Sequence, residues 1–208
     1  MNTRRHLLTG IGATIVGGLG WTLWRTLDVE PGPASSLHGM GESRFPNTKL
    51  YTHEGREVRF YDDLIRGKVV AINLMYAGCE GICPMATRNL LQVQERLGAR
   101  VGRDVFLYSI TLQPEHDSPR SLKSYAESQG VKPGWLFLTG APADVEGLRY
   151  RLGFYDPDPV LDGDKTTHTG MVRIGNDAYD RWTMAPALGR PDSILATINH
   201  VDSAVRHT

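Results

Sequence analysis

The chain of 208 residues has only two cysteines and no excess of charge of either sign. Its 23 basic and 23 acidic side chains balance, so no basic field is present to attract nucleic acid. Two cysteines are too few for the disulfide framework of a small secreted domain. Internal repeats are also lacking. These absences leave one ordinary globular domain in which the two thiols need a separate explanation.

The first 27 residues have the pattern of an export signal. Arg4 and Arg5 precede an apolar, glycine-rich stretch that runs to Trp24. The arginine pair followed by Leu7 resembles a twin-arginine signal, which exports folded proteins, but a Sec-type signal with two adjoining arginines would look the same. The apolar stretch is just long enough to span a bilayer. Residues 1–27 are therefore predicted to be an export signal or a retained single-pass anchor, with the domain in an oxidising, extracytoplasmic compartment.

The rest of the chain predicts a linker followed by one α/β domain. Residues 28–45 are rich in proline, glycine and serine, so a flexible linker is expected there and the folded domain at 46–208. Hydrophobic patterns and turn residues predict, in order, a hairpin at 49–60, a strand at 69–75, a helix at 85–97, a strand at 104–111, a helix at 118–129, a strand at 135–138, a helix at 142–152, strands at 169–174 and 179–184 joined by a turn at 175–177, and a helix at 191–205. This alternation predicts a central mixed, largely parallel sheet with helices on both faces and an N-terminal β-hairpin extension.

The two cysteines, Cys79 and Cys83, follow the apolar strand at 69–75 directly. If a helix begins near Cys79, their spacing places both sulfurs on one helix face. Two thiols that close can form a disulfide or hold a soft metal ion. A helix N-terminus lowers a thiol pKa and favours the thiolate, which is both nucleophile and metal ligand. The position therefore favours a functional pair over a structural disulfide.

A strand, a loop with two cysteines and a helix form the layout of a thioredoxin-like redox site. The segment Cys79-Glu-Gly-Ile-Cys83-Pro84, with Thr167-His168-Thr169 further on, resembles the SCO/SenC family of copper-binding, thioredoxin-fold proteins at the outer face of energy-transducing membranes. The resemblance extends over most of residues 45–205. It implies that Cys79, Cys83 and His168 bind copper, as Cu(I) or Cu(II), a choice that agrees with the softness of this donor set.

The resemblance also implies a function and a location. The first expectation is a copper chaperone at the periplasmic side of a bacterial cytoplasmic membrane, attached or exported by residues 1–27. It would deliver copper to the binuclear site of a terminal oxidase or similar enzyme. Expected partners are the copper-receiving subunit, an upstream copper donor or a thiol reductant. The alternative is a thiol–disulfide oxidoreductase for the apo copper site, in which Cys79 attacks and Cys83 resolves. A copper or redox sensor is a third reading.

Other residues near the motif are weaker candidates. Met75 and Met85 carry thioethers, but methionines in a strand and a helix more often fill a core. Tyr76 is expected to shape the site by packing, and Glu80 offers an oxygen within the motif. Family members often carry an aspartate close to the copper after the second core strand. Here the loop reads Thr111-Leu112-Gln113-Pro114 and Asp117 is the nearest acid, so the partner-docking role of the family aspartate is not carried over to this chain.

Overall fold

The computed structural model describes residues 43–164 and 170–203, which form a seven-stranded sheet flanked by helices. The strands are β1 (Lys49–Thr52), β2 (Glu57–Arg59), β3 (Val69–Met75), β4 (Val105–Thr111), β5 (Trp135–Gly140), β6 (Met171–Asn176) and β7 (Arg181–Pro186). The helices are α1 (Ile82–Leu97), α2 (Pro119–Ser128), α3 (Pro142–Arg151), α4 (Pro159–Gly163) and α5 (Pro191–Asp202). The strand order is β2-β1-β5-β4-β3-β6-β7. The predicted α/β architecture with an N-terminal hairpin is confirmed.

The sheet is mixed, as predicted, but its parallel part is confined to the centre. The strands β3, β4 and β5 run parallel, whereas the other four pairings are antiparallel. The hairpins at the two ends of the domain add these antiparallel strands, so "largely parallel" holds only for the central three. All seven residues of β3 are buried. This central position explains its continuous apolar run and places the segment after it beside the carboxyl end of β4.

Two apolar cores cover the two faces of the sheet. The first packs α1, α2 and α5 together with both cysteines, and the second packs α3 and a π-helical turn at Phe60–Ile65. Phe45, which the sequence pattern places at the end of the linker, belongs to the second core. It is 1% exposed, and its ring lies 6.2 Å from Phe60 and 4.7 Å from Trp182. A single aromatic residue in a glycine- and serine-rich stretch shows no periodicity that would reveal this burial.

The turn between the last two strands lies two residues later than predicted. The strand β6 continues through Gly175, and the chain reverses in a 3-10 turn at Asp177–Tyr179. Gly175 faces Trp182 across the hairpin, and a Cβ placed on it would lie 2.1 Å from the indole ring. This glycine therefore marks a close approach between strands, and the prediction that it forms the turn is wrong.

A buried ionic cluster joins α3 to α4. The guanidinium of Arg149 donates to the two carboxylate oxygens of Asp162 at 2.8 and 2.7 Å and to those of Glu146 at 3.1 and 2.7 Å. Tyr150 donates its hydroxyl to Asp162 as well. The side chains of Arg149 and Asp162 are only 5% and 9% exposed. We call Glu146, Arg149, Tyr150 and Asp162 the Arg149 cluster; its hydrogen bonds to Asp162, acting against burial, raise the pKa of Arg149.

Candidate functional site

Both cysteines lie in the segment Tyr76–Cys83, which joins β3 to α1 and is called here the cysteine segment. The helix begins at Ile82, so Cys83 lies in its first turn while Cys79 precedes it. The condition for both sulfurs to share a helix face, a helix that begins near Cys79, is therefore not met. The two residues meet because the chain turns before the helix starts, and the N–H of Cys79 donates to the carbonyl of Tyr76 at 3.2 Å.

The two thiols are buried and hydrogen-bonded to each other, and no disulfide joins them. Cys79 is 7% exposed and Cys83 is 1% exposed. Burial opposes ionisation of Cys79, but its sulfur accepts hydrogen bonds from the Cys83 thiol, from the backbone N–H groups of Cys83 and Gly81, and from the Tyr76 hydroxyl. Together these bonds outweigh burial and lower the pKa of Cys79. The hydrogen bonds therefore favour the thiolate form of Cys79.

Tyr76 does more than pack against the site. Its hydrogen bond to Cys79 raises the pKa of Tyr76 to about 12, with further contributions from burial and from the charges of both cysteines and Asp164. The phenol therefore stays protonated at neutral pH and remains a hydrogen-bond donor to the sulfur. The sequence pattern indicates an aromatic side chain beside the site, but not this bond.

The loop after β4 holds the cysteine segment from one side. Asp117 is 4% exposed, and its Oδ2 accepts a hydrogen bond from the backbone N–H of Ala77 at 3.0 Å and another from the Thr111 hydroxyl. The N–H of Leu112 donates to the carbonyl of Met75 at 2.8 Å. Asp117 and Ala77 are 40 residues apart in sequence, so no local pattern could have revealed this contact.

The helix α2 contacts the first turns of α1, on the carboxyl side of Cys83. The hydroxyls of Thr87 in α1 and Tyr125 in α2 lie 2.9 Å apart, and both side chains are buried. Thr87 lies one helical turn after Cys83. Burial raises the pKa of Tyr125, although its bond to Thr87 opposes this. Neither residue was a sequence candidate, because Tyr125 appears in the sequence as an ordinary member of an amphipathic helix.

His168, the third predicted ligand, lies outside the described residues, since residues 165–169 are not among them. The chain on its carboxyl side is placed beside the motif. A Cβ built on Gly170 would lie 3.9 Å from the Cδ1 of Ile82 in the cysteine segment. Among residues 43–164 and 170–203, no cluster of three or more His, Cys, Asp and Glu side chains could hold a metal ion. The structure thus brings together two of the three predicted ligands.

The weaker candidates for metal ligands do not gather at one place beside the cysteines. Met75 is buried in the same core as the cysteines, whereas Met85 is 44% exposed and Glu80 is exposed. The export or anchor segment at 1–27 lies outside the described residues. In the part of the chain that the structure describes, no helix combines the length and the apolar character needed to cross a bilayer.

The sequence model of the SCO1/SenC family matches residues 44–202. The chain belongs to the SCO1/SenC family. The SCO1 protein homolog of Bacillus subtilis is 34% identical over 77 residues, which make up 36% of this chain and 39% of that protein. A Stutzerimonas stutzeri protein named for copper binding is 26% identical over 121 residues, 57% of this chain and 58% of that protein. These matches span well under two thirds of the curated relatives.

Solved Sco structures share the fold of the domain. Yeast Sco1 with copper bound is 23% identical and has a TM-score of 0.60, covering 79% of this chain and 97% of that one. BsSco, described as a member of the Sco family of cytochrome c oxidase assembly proteins in which a disulfide switch was identified, is 22% identical with a TM-score of 0.61, covering 76% and 92%. The predicted thioredoxin-like fold is thereby confirmed.

Proposed function

We propose that this SCO1/SenC protein binds copper through Cys79, Cys83 and His168 and delivers it to the binuclear copper site of a membrane terminal oxidase or a similar enzyme. The observation that carries this proposal is the pair of hydrogen-bonded thiols, not joined by a disulfide, at the carboxyl end of β3. The copper-bound form of yeast Sco1 and the oxidase-assembly role stated for BsSco support it.

The donor chemistry agrees with copper as the cargo. Two thiolates and one imidazole form a soft set that suits Cu(I) and also accepts Cu(II). The hydrogen bonds to Cys79 favour its thiolate, which is the form that binds metal. A structural zinc site would normally require four protein ligands. A set of three ligands leaves one position for a group of the acceptor protein.

Covalent geometry supports His168 as the third ligand. Gly170 lies beside Ile82 in the cysteine segment. Consecutive Cα atoms are about 3.8 Å apart, so the Cα of His168 is at most about 7.6 Å from that of Gly170. A chain of this length allows the His168 imidazole to reach the two thiols, which supports it as the third ligand.

Transfer can proceed without free copper. An acceptor group occupies the open position first, and Cys79 and Cys83 then release the ion stepwise as further acceptor groups replace them. An upstream copper donor must refill the site, and a thiol reductant must keep both cysteines reduced, because a Cys79–Cys83 disulfide has no thiolate left to bind metal. Delivery to a membrane oxidase places this chemistry on the periplasmic side of the membrane, with residues 1–27 as signal or anchor.

A Cu(I) competition titration of the reduced, full-length protein tests the proposal. We expect tight one-to-one binding that weakens at least tenfold, about 1.4 kcal/mol, in His168→Ala. His116→Ala is the matched control, because His116 is an exposed histidine beside Asp117 that should not reach the thiols. The proposal fails if the reduced wild type binds no copper, or if His168→Ala binds it as tightly as the wild type does.

A thiol–disulfide oxidoreductase is the second candidate, favoured by the lowered pKa and the greater exposure of Cys79. The Cys79 thiolate would attack a substrate disulfide, forming a mixed disulfide and releasing one substrate thiol. Cys83 would then attack the Cys79 sulfur, leaving a Cys79–Cys83 disulfide and the second substrate thiol, so that two electrons pass to the substrate. Reduction of an oxidised copper-site peptide that persists in His168→Ala would support this function, and its absence in the wild type would exclude it.

A further inference from the structure

We infer that Asp117 is a positioning residue of the cysteine pair: its carboxylate anchors the turn that carries Cys79 and so sets the position of Cys79 relative to Cys83. The inference rests on the proposed use of the two cysteines. It adds a residue that binds neither copper nor substrate but determines how well the thiols do so.

The contact of Asp117 falls on the middle of that turn. The N–H of Cys79 closes the turn on the carbonyl of Tyr76, and Ala77 lies between them. Asp117 Oδ2 accepts from the N–H of Ala77 at 3.0 Å. Removing this acceptor would leave a half-buried backbone N–H without its partner, at a point two residues from the reactive sulfur.

Asp117 is itself held firmly. Its N–H donates to the carbonyl of Gln113 at 2.8 Å, and the Thr111 hydroxyl that donates to its carboxylate also accepts from the N–H of Gln113 at 2.9 Å. The next residue, Ser118, is the N-cap of α2 and accepts from Ser121 N–H at 3.2 Å. The carboxylate is therefore a fixed point on the end of a helix.

The same helix holds the far side of the motif through Tyr125 and Thr87. The stretch from Asp117 to Tyr125 thus contacts the chain two residues before Cys79 and again four residues after Cys83. A metal site requires a narrow range of sulfur positions. Fixing the chain on both sides limits the sulfurs to that range before any ligand binds, which lowers the ordering cost of binding.

Two measurements distinguish a role of Asp117 in positioning the cysteines from a role in the stability of the fold. One is Cu(I) affinity; the other is the midpoint potential of the Cys79–Cys83 couple, measured without copper. For the potential, reduced full-length protein is equilibrated with oxidised dithiothreitol, so that formation of the protein disulfide is balanced by reduction of the dithiothreitol disulfide to two thiols. Asp162→Asn is the control, because Asp162 is also buried but its carboxylate binds the Arg149 cluster and the backbone N–H of Asp156.

We expect Asp117→Ala to weaken Cu(I) binding about tenfold, or 1.4 kcal/mol. Without the Asp117 contact the reduced, hydrogen-bonded dithiol is less stable relative to the disulfide. The midpoint potential should therefore become about 30 mV more negative, which is a tenfold change for a two-electron couple. Asp117→Asn can keep both bonds through its amide oxygen, but such neutral bonds are about half as strong. Its two values should therefore lie between those of the wild type and Asp117→Ala. Asp162→Asn should change neither readout.

The inference is overturned if Asp117→Ala keeps wild-type affinity and potential, or if Asp162→Asn shifts both as far. Should Asp117→Ala not fold, Asp117→Asn decides: intermediate values support the inference and wild-type values overturn it. A wild type that binds no copper would refute the proposed function alone, because the potential is measured in the absence of copper.

Discussion

Asp117 and Asp162 are both buried carboxylates, but the groups around them differ. Asp162 accepts hydrogen bonds from a hydroxyl and a backbone N–H, but it also binds a guanidinium through two hydrogen bonds, and the cluster joins α3 to α4. Asp117 meets a backbone N–H and a hydroxyl, and its contact reaches the turn that carries Cys79. Similar burial therefore serves stability in one place and the placement of a reactive group in the other. Variants at the two sites should separate these roles.

The largest stability effect is expected at the ionic site. Asp162→Asn leaves the buried Arg149 with only Glu146 as its charged partner. The free energy of unfolding should fall by about 3 kcal/mol, the lower end of the range for breaking a buried ion pair. Denaturant unfolding of the reduced, copper-free protein measures it. A loss below about 1 kcal/mol, the range of exposed pairs, would show that burial of the pair does not matter.

Asp117→Ala should cost less stability, about 1–2 kcal/mol, because it removes hydrogen bonds without leaving a buried charge unpaired. The order of the two variants should then reverse for copper: Asp117→Ala weakens binding and Asp162→Asn does not. Unfolding and titration of the same protein samples provide both numbers. The distinction between Asp117 and Asp162 is contradicted if the same variant shows the larger loss of both stability and Cu(I) affinity.

The pH dependence of alkylation sharpens the comparison further. The hydrogen bonds to its sulfur lower the pKa of Cys79, so in the copper-free protein its reaction with iodoacetamide should reach half its maximal rate at a lower pH than an ordinary thiol does. Because the pKa of Cys79 is lower in the folded protein, ionisation of Cys79 stabilises the fold fully at pH values above the pKa of the unfolded thiol. This stabilisation is lost as the pH falls through the folded pKa. Asp117→Ala should move the alkylation midpoint upward; a wild-type midpoint at or above that of an ordinary thiol would contradict the described bonds.

The smallest effect is expected for Thr111→Val. This change removes one donor to Asp117 and keeps the bond from Ala77. We expect a stability loss of about 1 kcal/mol and a change in Cu(I) affinity of less than about threefold, 0.7 kcal/mol. Titration beside Asp117→Ala measures the difference. An equal loss of affinity in both variants would mean that the Thr111 bond, not the Ala77 contact, controls the turn.

Local sequence signals predicted the elements that depend on local chemistry. Ser118 and Pro119 marked the start of α2, and Ser118 is its N-cap. The apolar run of β3 and the two cysteines after it located the site. By contrast, Gly175 resembled a turn residue, because sequence alone does not distinguish a glycine that reverses the chain from one that accommodates a tryptophan on the next strand.

The support of the site could not be predicted in the same way. Asp117 contacts Ala77, and Tyr125 contacts Thr87, across 40 and 38 residues of sequence. In each case the partners meet only because α2 and the residue before it pack against the cysteine segment and α1. Cys79 and Cys83 could be named from their spacing, but their contact arises from a turn before the helix and not from helical periodicity.

X-ray absorption at the copper edge of the loaded, full-length protein tests the central claim most directly. The account predicts a Cu(I) centre with two sulfur neighbours and one imidazole nitrogen, and loss of the imidazole scattering in His168→Ala with both sulfurs retained. A wild-type spectrum with two sulfurs and no imidazole, or one that His168→Ala leaves unchanged, would contradict it.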